Sequence, residues 1–160
     1  MAIKDILLLG DPRLYEVSEP VFKAEIPELK PQIELMWKSI IDIRETYGFG
    51  RAIAAPQIGV PKRIIALHID RPEIMINPVL EELSDEMFEV WDDCMSFPNL
   101  LVKVRRHRSL KVSFRDLSWH VHTKELWDDM AELIQHEYDH LDGILATQRA
   151  IDDKSFKWKS

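Results

Sequence analysis

The stretch IQHEYDHLDG, residues 134–143, carries an HExxH motif inside an apolar pattern of helical period. Residues four apart lie on one face of an α-helix, so His136 and His140 can direct imidazole nitrogens at one metal ion. Glu137 lies beside the first histidine and can take a proton from a metal-activated water. The motif predicts a metal-dependent hydrolase, but it leaves the third protein ligand open.

The two common completions of this motif are absent from the sequence that follows it. A histidine six residues after His140 would complete one arrangement, but that position is Ala146. A downstream glutamate would complete another, and no glutamate follows Glu137. The third ligand is therefore expected upstream, and Cys94 is the strongest candidate because a thiolate is a negative, soft ligand. The other candidates are Asp142, Asp152, Asp153, His68, His107, His120 and His122.

Length and composition predict a single domain over residues 1–160, and the HExxH motif predicts that this domain is catalytic. With 46% hydrophobic and 31% charged residues, the chain has the composition of a globular protein. A net charge of −7 argues against nucleic acid as a specific partner, and no apolar run approaches the length of a membrane span. The basic cluster Lys103–Arg108 is expected to be a solvated strand face. Cys94 is the single cysteine, so no internal disulfide is possible and we expect a reducing, cytoplasmic setting. A monomer is a separate expectation.

The order of apolar patterns along the chain predicts an α+β fold. A first helix is expected over residues 28–47, with Pro31 in its first turn. A second is expected from Lys124 to Leu141, with Thr123 as its N-cap. Between them, antiparallel or mixed strands are expected over residues 63–69, 73–80, 86–93 and, as a pair, 100–116.

Three separated segments resemble the motifs of the peptide deformylase family. The family's G-x-G-x-A-A-x-Q loop is similar to GRAIAAPQ at residues 50–57, and its E-G-C-x-S segment to DDCMS at residues 92–96. Its Q-H-E-x-D-H-L-x-G helix is similar to QHEYDHLDG at residues 135–143. The resemblance implies the family's α+β fold, with mixed or antiparallel sheets around the C-terminal motif helix and a further N-terminal helix.

The resemblance also implies a metal centre and a reaction. It implies a ferrous ion held by Cys94, His136 and His140, which Zn²⁺, Ni²⁺ or Co²⁺ could replace. The implied reaction removes the formyl group from the N-terminal formyl-methionine of nascent chains at the ribosome. In that reaction Glu137 takes a proton from water and passes it to the leaving amine.

Further site residues follow from the same resemblance. The side-chain amide of Gln57 and the backbone N–H of Met95 are expected to donate to the developing oxyanion. The residues expected to bind the substrate are Gly50, Arg51, Ala52, Asp92 and Leu133.

Several positions depart from the family's pattern. Ala52 replaces the second glycine of the loop, and Asp92 and Asp93 replace the Glu-Gly pair before the cysteine. The side chain of Asp93 would place a carboxylate beside the ligand thiolate unless it turns outward.

The largest departure concerns the pocket beside the formyl group. Arg51 stands where the family has an aliphatic residue, and Asp129 and Glu132 stand at positions that are commonly apolar. A buried unpaired charge is costly, so these groups must pair, reach solvent or meet a polar substrate. The open alternatives are another N-formyl substrate or weak catalysis by the same site, a zinc endopeptidase, and a non-catalytic binding module.

Overall fold

In the computed structural model, residues 2–159 are described, and across them the chain forms two α-helices, eight β-strands and five short 3₁₀ turns. The helices are α1 (Ile26–Tyr47) and α2 (Asp128–Leu141). The strands are β1 (Ala52–Ala54), β2 (Ile64–His68), β3 (Pro72–Glu81), β4 (Met87–Asp92), β5 (Leu100–His107), β6 (Ser109–Arg115), β7 (Val121–Trp127) and β8 (Phe156–Trp158). The α+β class predicted from the sequence is confirmed.

The strands form two antiparallel sheets on either side of α2. The larger sheet has the order β1-β2-β3-β6-β7, and the smaller has the order β4-β5-β8. Successive side chains of a strand point to opposite faces, so Ile64 and Ala66 of β2 pack with α1, whereas Ile65 and Leu67 pack with α2. The motif helix is thus held in the interior of the fold. Neither α-helix within residues 2–159 combines the length and apolar character needed to cross a membrane.

Helix α1 begins two residues earlier than the sequence pattern predicts. Pro27 occupies its first turn, a position that tolerates a missing N–H, and Pro31 lies inside the helix instead. The expected place of Pro31 in the first turn is therefore wrong. The buried face of the helix compensates for the lost hydrogen bond, and it comprises Ile26, Leu29, Ile33, Met36, Ser39, Ile40 and Ile43.

Helix α2 begins later than predicted, because the preceding residues form β7. Lys124 and Thr123 lie in that strand, so neither starts nor caps the helix, and the N-cap position belongs to Trp127. The seven residues of β7 pair in register with the seven of β6, which satisfies the backbone groups of β7 that face β6. Leu126 has the spacing of the apolar residues of α2, but it lies in β7 and is buried there. Long-range pairing overrides the local pattern here.

Gly143, which follows α2, is expected to be essential for stability. Its φ is +74°, and a Cβ atom there would lie 2.5 Å from the carbonyl oxygen of Tyr15. Gly143→Ala should therefore lower the free energy of unfolding by about 3 kcal/mol. Gly48→Ala is the matched control, because Gly48 has φ +78° and open space around it. Its expected cost is about 1–2 kcal/mol, from the left-handed backbone alone. Equal losses in urea unfolding would contradict the steric explanation.

Candidate metal centre

Cys94, His136 and His140 converge at the buried centre of the fold. Cys94 follows β4 by two residues, and the histidines occupy one face of α2. One ligand atom from each lies within 4.8 Å of the other two, and the Cys94 Sγ is 3.4 Å from the His140 Nε2. Metal–sulfur and metal–nitrogen bonds of about 2.3 and 2.1 Å place such atoms about 3.6 Å apart around a tetrahedral ion. The donor set therefore fits one divalent metal.

Two of the other histidines considered as third ligands point elsewhere. The Nδ1 of His107 lies 2.7 Å from the carbonyl oxygen of Ser84. The Nε2 of His122 lies 2.7 Å from a carboxylate oxygen of Asp116 in an exposed hairpin. Among the described residues, Cys94 completes the histidine pair.

The two histidines are held in complementary states. The Nδ1 of His136 lies 3.0 Å from the Asp92 Oδ2, which leaves its Nε2 for a metal. Burial opposes protonation of His136, but Cys94 and Asp92 outweigh it and raise its pKa. Burial and the neighbouring His136 lower the pKa of His140, so its imidazole is neutral. A metal ion would displace the proton of His136, as binding to an imidazole requires.

A buried series of ion pairs contacts the Nδ1 side of the His136 imidazole. Arg106 lies 2.6 Å from Asp92 and 2.7 Å from Asp139, and Arg149 pairs with Asp139 at 2.5 Å. Burial would raise the pKa of Asp92, but the hydrogen bond from His136 and the charge of Arg106 keep it below its usual range. Asp92 therefore presents a fixed negative charge to the ligand imidazole.

Two residues of this series of ion pairs lie where the sequence did not predict them. Asp92, expected to bind substrate, is buried with its carboxylate directed at His136 and Arg106. Arg106, expected in a solvated cluster, is also buried. The signal was available in β5, because Arg106 is in phase with the inward-facing Val102 and Val104.

Glu137 is placed to act as a base. Its side chain is buried on the wall of the cavity next to the ligands, and its Oε1 has no hydrogen-bond partner within residues 2–159. Burial raises the pKa of Glu137 to about 7. A carboxylate with that pKa can both accept and release a proton near neutral pH.

Gln57 is fixed with its amide facing the centre. Its Oε1 accepts the backbone N–H of Ala54 at 2.9 Å, so its Nε2 points at the Cys94 Sγ (3.4 Å) and the Ser96 Oγ (3.1 Å). Both acceptors belong to the segment that also carries Met95. The amide is thus a donor directed into the site, and Ser96 is a supporting residue that the sequence reading did not assign.

A cavity of about 320 Å³ opens from the metal ligands towards the surface. Its walls include Cys94, His136, Glu137 and five other residues predicted for the site, namely Gly50, Arg51, Ala52, Met95 and Leu133. Gly50 lets the loop approach the floor, because a Cβ atom there would lie 3.2 Å from the Met95 Cε. The structure therefore brings the loop, the cysteine segment and the motif helix to one pocket.

The polar wall of this cavity comes from Arg51 and Glu132. The Nη2 of Arg51 lies 3.5 Å from the Glu132 Oε2, whereas Asp129 is exposed and is not part of the wall. Burial and then the nearby Asp92 raise the pKa of Glu132 to about 9. We favour this protonated form over a full ion pair, because 3.5 Å is long for a charge-assisted hydrogen bond.

The charge of Asp93 is balanced at the mouth of the cavity. Its carboxylate is part-exposed and lies 3.3 Å from the Lys159 Nζ. The same ammonium lies 3.6 Å from the ring centroid of Phe49, which also borders the cavity. The replacement of glycine by Asp93 therefore places a paired charge at the rim.

Comparison with known proteins gives one consistent result. The family model described as polypeptide deformylase matches residues 3–156. The peptide deformylase 2 of Ralstonia nicotianae is 35% identical over 96% of this chain and 90% of its own length. The crystal structure of the peptide deformylase from Thermotoga maritima superposes with a TM-score of 0.83 at 31% identity, covering 92% of this chain and 97% of that one. A Synechococcus elongatus deformylase in complex with actinonin superposes with a TM-score of 0.84 at 28% identity, covering 92% and 79%.

Proposed function

The chain belongs to the polypeptide deformylase family, whose role is to remove the N-formyl group from nascent polypeptides, and we propose that it does so at the Cys94–His136–His140 centre. The observation that carries the assignment is a complete donor set within 4.8 Å, at a cavity that Glu137 also lines with a carboxylate oxygen that has no hydrogen-bond partner among the described residues. The family is metal-dependent, and the three donors suit a single divalent ion.

The proposed reaction assigns the proton transfers to Glu137. A divalent ion held by Cys94, His136 and His140 would supply Lewis-acid chemistry, which activates water and polarises a carbonyl group. Glu137 accepts a proton from the attacking water, whose oxygen bonds to the formyl carbon. The carbon–nitrogen bond then breaks, and Glu137 delivers its proton to the leaving nitrogen. The products are formate and a free amino terminus.

Gln57 and Met95 stabilise the charge that develops on the formyl oxygen. The Gln57 Nε2 is directed at the Cys94 sulfur. In the proposed reaction the formyl oxygen lies close to that sulfur and therefore within reach of the amide. The backbone N–H of Met95, next to the ligand cysteine, is the proposed second donor. One such donor lowers the barrier by roughly 3 kcal/mol in well-studied hydrolases.

The identity of the ion and the setting of the reaction are also proposed. We propose Fe²⁺ as the native ion, with Zn²⁺, Ni²⁺ or Co²⁺ able to occupy the same thiolate and imidazole donors. The proposed substrate is the N-formylated peptide of nascent chains at the ribosome, met in the cytoplasm by a monomeric enzyme. The family match over residues 3–156 supports a single catalytic domain spanning residues 1–160.

Formate release from formyl-Met-Ala-Ser tests the proposed function. Protein loaded anaerobically with Fe²⁺, or with Ni²⁺, is expected to release one formate for each free amine formed. Acetyl-Met-Ala-Ser is the matched control, because a methyl group replaces the formyl hydrogen, and it should react far more slowly. Background rates with both ions would refute the proposal, and cleavage of the unformylated peptide would favour an endopeptidase.

A further inference from the structure

The substrate side chain next to the formyl group is expected to lie in the cavity beside the three metal ligands. The formyl carbon must approach the three ligands and Glu137, and the α-carbon is attached to it through a single nitrogen. The cavity of about 320 Å³ opens from those groups, so it receives the first side chain of the substrate. This step rests on the proposed function.

Arg51 is a hydrogen-bond donor with spare capacity in that cavity. Its guanidinium carries five N–H groups, and its side chain is 39% exposed. Its contact with Glu132, at 3.5 Å, is longer than an ordinary N–H···O bond, and no side-chain hydrogen bond of Arg51 occurs within residues 2–159. A substrate atom that accepts a hydrogen bond would find donors here.

The rest of the wall suits an uncharged side chain with an apolar stem. Ala52, Met95 and Leu133 are apolar, and the methylene groups of Arg51 add to them. Glu132 is protonated and Asp93 is paired with Lys159, so neither attracts a basic side chain. The carboxylate of Glu137 in the same cavity disfavours an acidic side chain. The wall therefore combines apolar contacts with a hydrogen-bond donor.

We propose that Arg51 makes this enzyme accept an N-formyl residue whose uncharged side chain has the length of methionine and ends in a hydrogen-bond acceptor. Nascent chains supply one such residue, because oxidation converts formyl-methionine to its sulfoxide. The sulfoxide oxygen accepts from the Arg51 guanidinium, while the methylene groups contact Leu133 and Met95. The same hydrolysis then releases formate from an oxidised amino terminus.

The test compares three formyl peptides that differ in the first side chain: methionine, methionine sulfoxide and norleucine, each followed by Ala-Ser. The wild-type kcat/KM for the sulfoxide is expected within tenfold of that for methionine. Arg51→Met should lower the sulfoxide-to-methionine ratio at least tenfold, and Arg51→Lys should give an intermediate ratio. Arg105→Met is the matched control, because Arg105 also lies 3.5 Å from a carboxylate, that of Glu89, but outside the cavity. It should keep the wild-type ratio.

A binding measurement separates this inference from the proposed function. Calorimetric titration of the same peptides into nickel-loaded Glu137→Gln protein, with and without Arg51→Met, reports recognition without turnover. If no peptide yields formate but Arg51→Met still weakens sulfoxide binding selectively, the proposed function fails and the recognition by Arg51 stands. A wild-type preference for methionine above tenfold, or an unchanged ratio in Arg51→Met, overturns the inference.

Discussion

Glu137→Gln is expected to lower kcat for formyl-Met-Ala-Ser roughly a thousandfold while leaving one metal ion bound per chain. Glutamine has nearly the same shape but cannot accept the proton of the attacking water. The Oε1 of Glu137 has no partner within residues 2–159, so the substitution breaks no internal hydrogen bond of that atom. The expected loss is therefore chemical, and KM should change much less than kcat.

The pH profile makes this expectation sharper. Burial raises the pKa of Glu137 to about 7, and a cation in the centre pulls it in the opposite direction. A base must be ionised, so wild-type kcat should fall as the pH drops below an apparent pKa of about 7 or less. Glu137→Gln should show no such limb in its residual activity.

Metal content and folding provide the controls for Glu137→Gln. Atomic absorption after gel filtration should find the same metal content as in the wild type, and far-UV circular dichroism should be unchanged. A variant that keeps its metal and more than a tenth of the wild-type kcat would remove Glu137 from the proton transfers. Some other group would then have to carry them.

The motif helix and the third ligand are the parts of the site that the sequence predicts well. The HExxH spacing is local, and helical geometry alone brings His136 and His140 to one face. Cys94 could be chosen because the chain has a single cysteine and lacks the downstream ligands of other arrangements. In the structure, the sulfur lies beside His140, as that choice requires.

The parts that sequence reasoning missed depend on contacts between distant segments. The start of α2 is set by the pairing of β7 with β6, which no local pattern reveals. The place of Asp92 depends on Arg106, fourteen residues away, and on His136, which is farther still. Asp92 and Arg106 are buried ion-pair partners, and charged residues are normally predicted to be exposed.

The pocket beside the formyl group was predicted only in part. The sequence predicts that Arg51 and Glu132 share one polar pocket and leaves open whether they pair; in the structure they lie 3.5 Å apart, which leaves the guanidinium with free donors. The sequence also groups Asp129 with them, although the helix turns that side chain to solvent. Which members of a polar set reach a cavity is decided by the rotation of α2, and that is fixed by the packing of its apolar stripe.

The second large effect is expected at the third ligand. Cys94→Ala should lower the affinity for Ni²⁺ at least a hundredfold, because two imidazoles remain of a three-donor set and the single thiolate is lost. Cys94→Ser should behave similarly, since a serine hydroxyl stays protonated near neutral pH and is a weak ligand. Formate release should fall in parallel with metal content in both variants.

Thermal unfolding measures the loss of Ni²⁺ affinity without relying on enzymatic activity. A ligand that binds the native state raises Tm in proportion to the logarithm of its concentration over Kd. Added Ni²⁺ should therefore raise the Tm of metal-free wild-type protein by several degrees and leave that of Cys94→Ala almost unchanged. His122→Ala is the matched control, because His122 is an exposed histidine in the β6–β7 hairpin, and it should respond like the wild type. Retention of one tightly bound ion by Cys94→Ala would show that a carboxylate such as Glu137 completes the centre, and the assignment of Cys94 would be withdrawn.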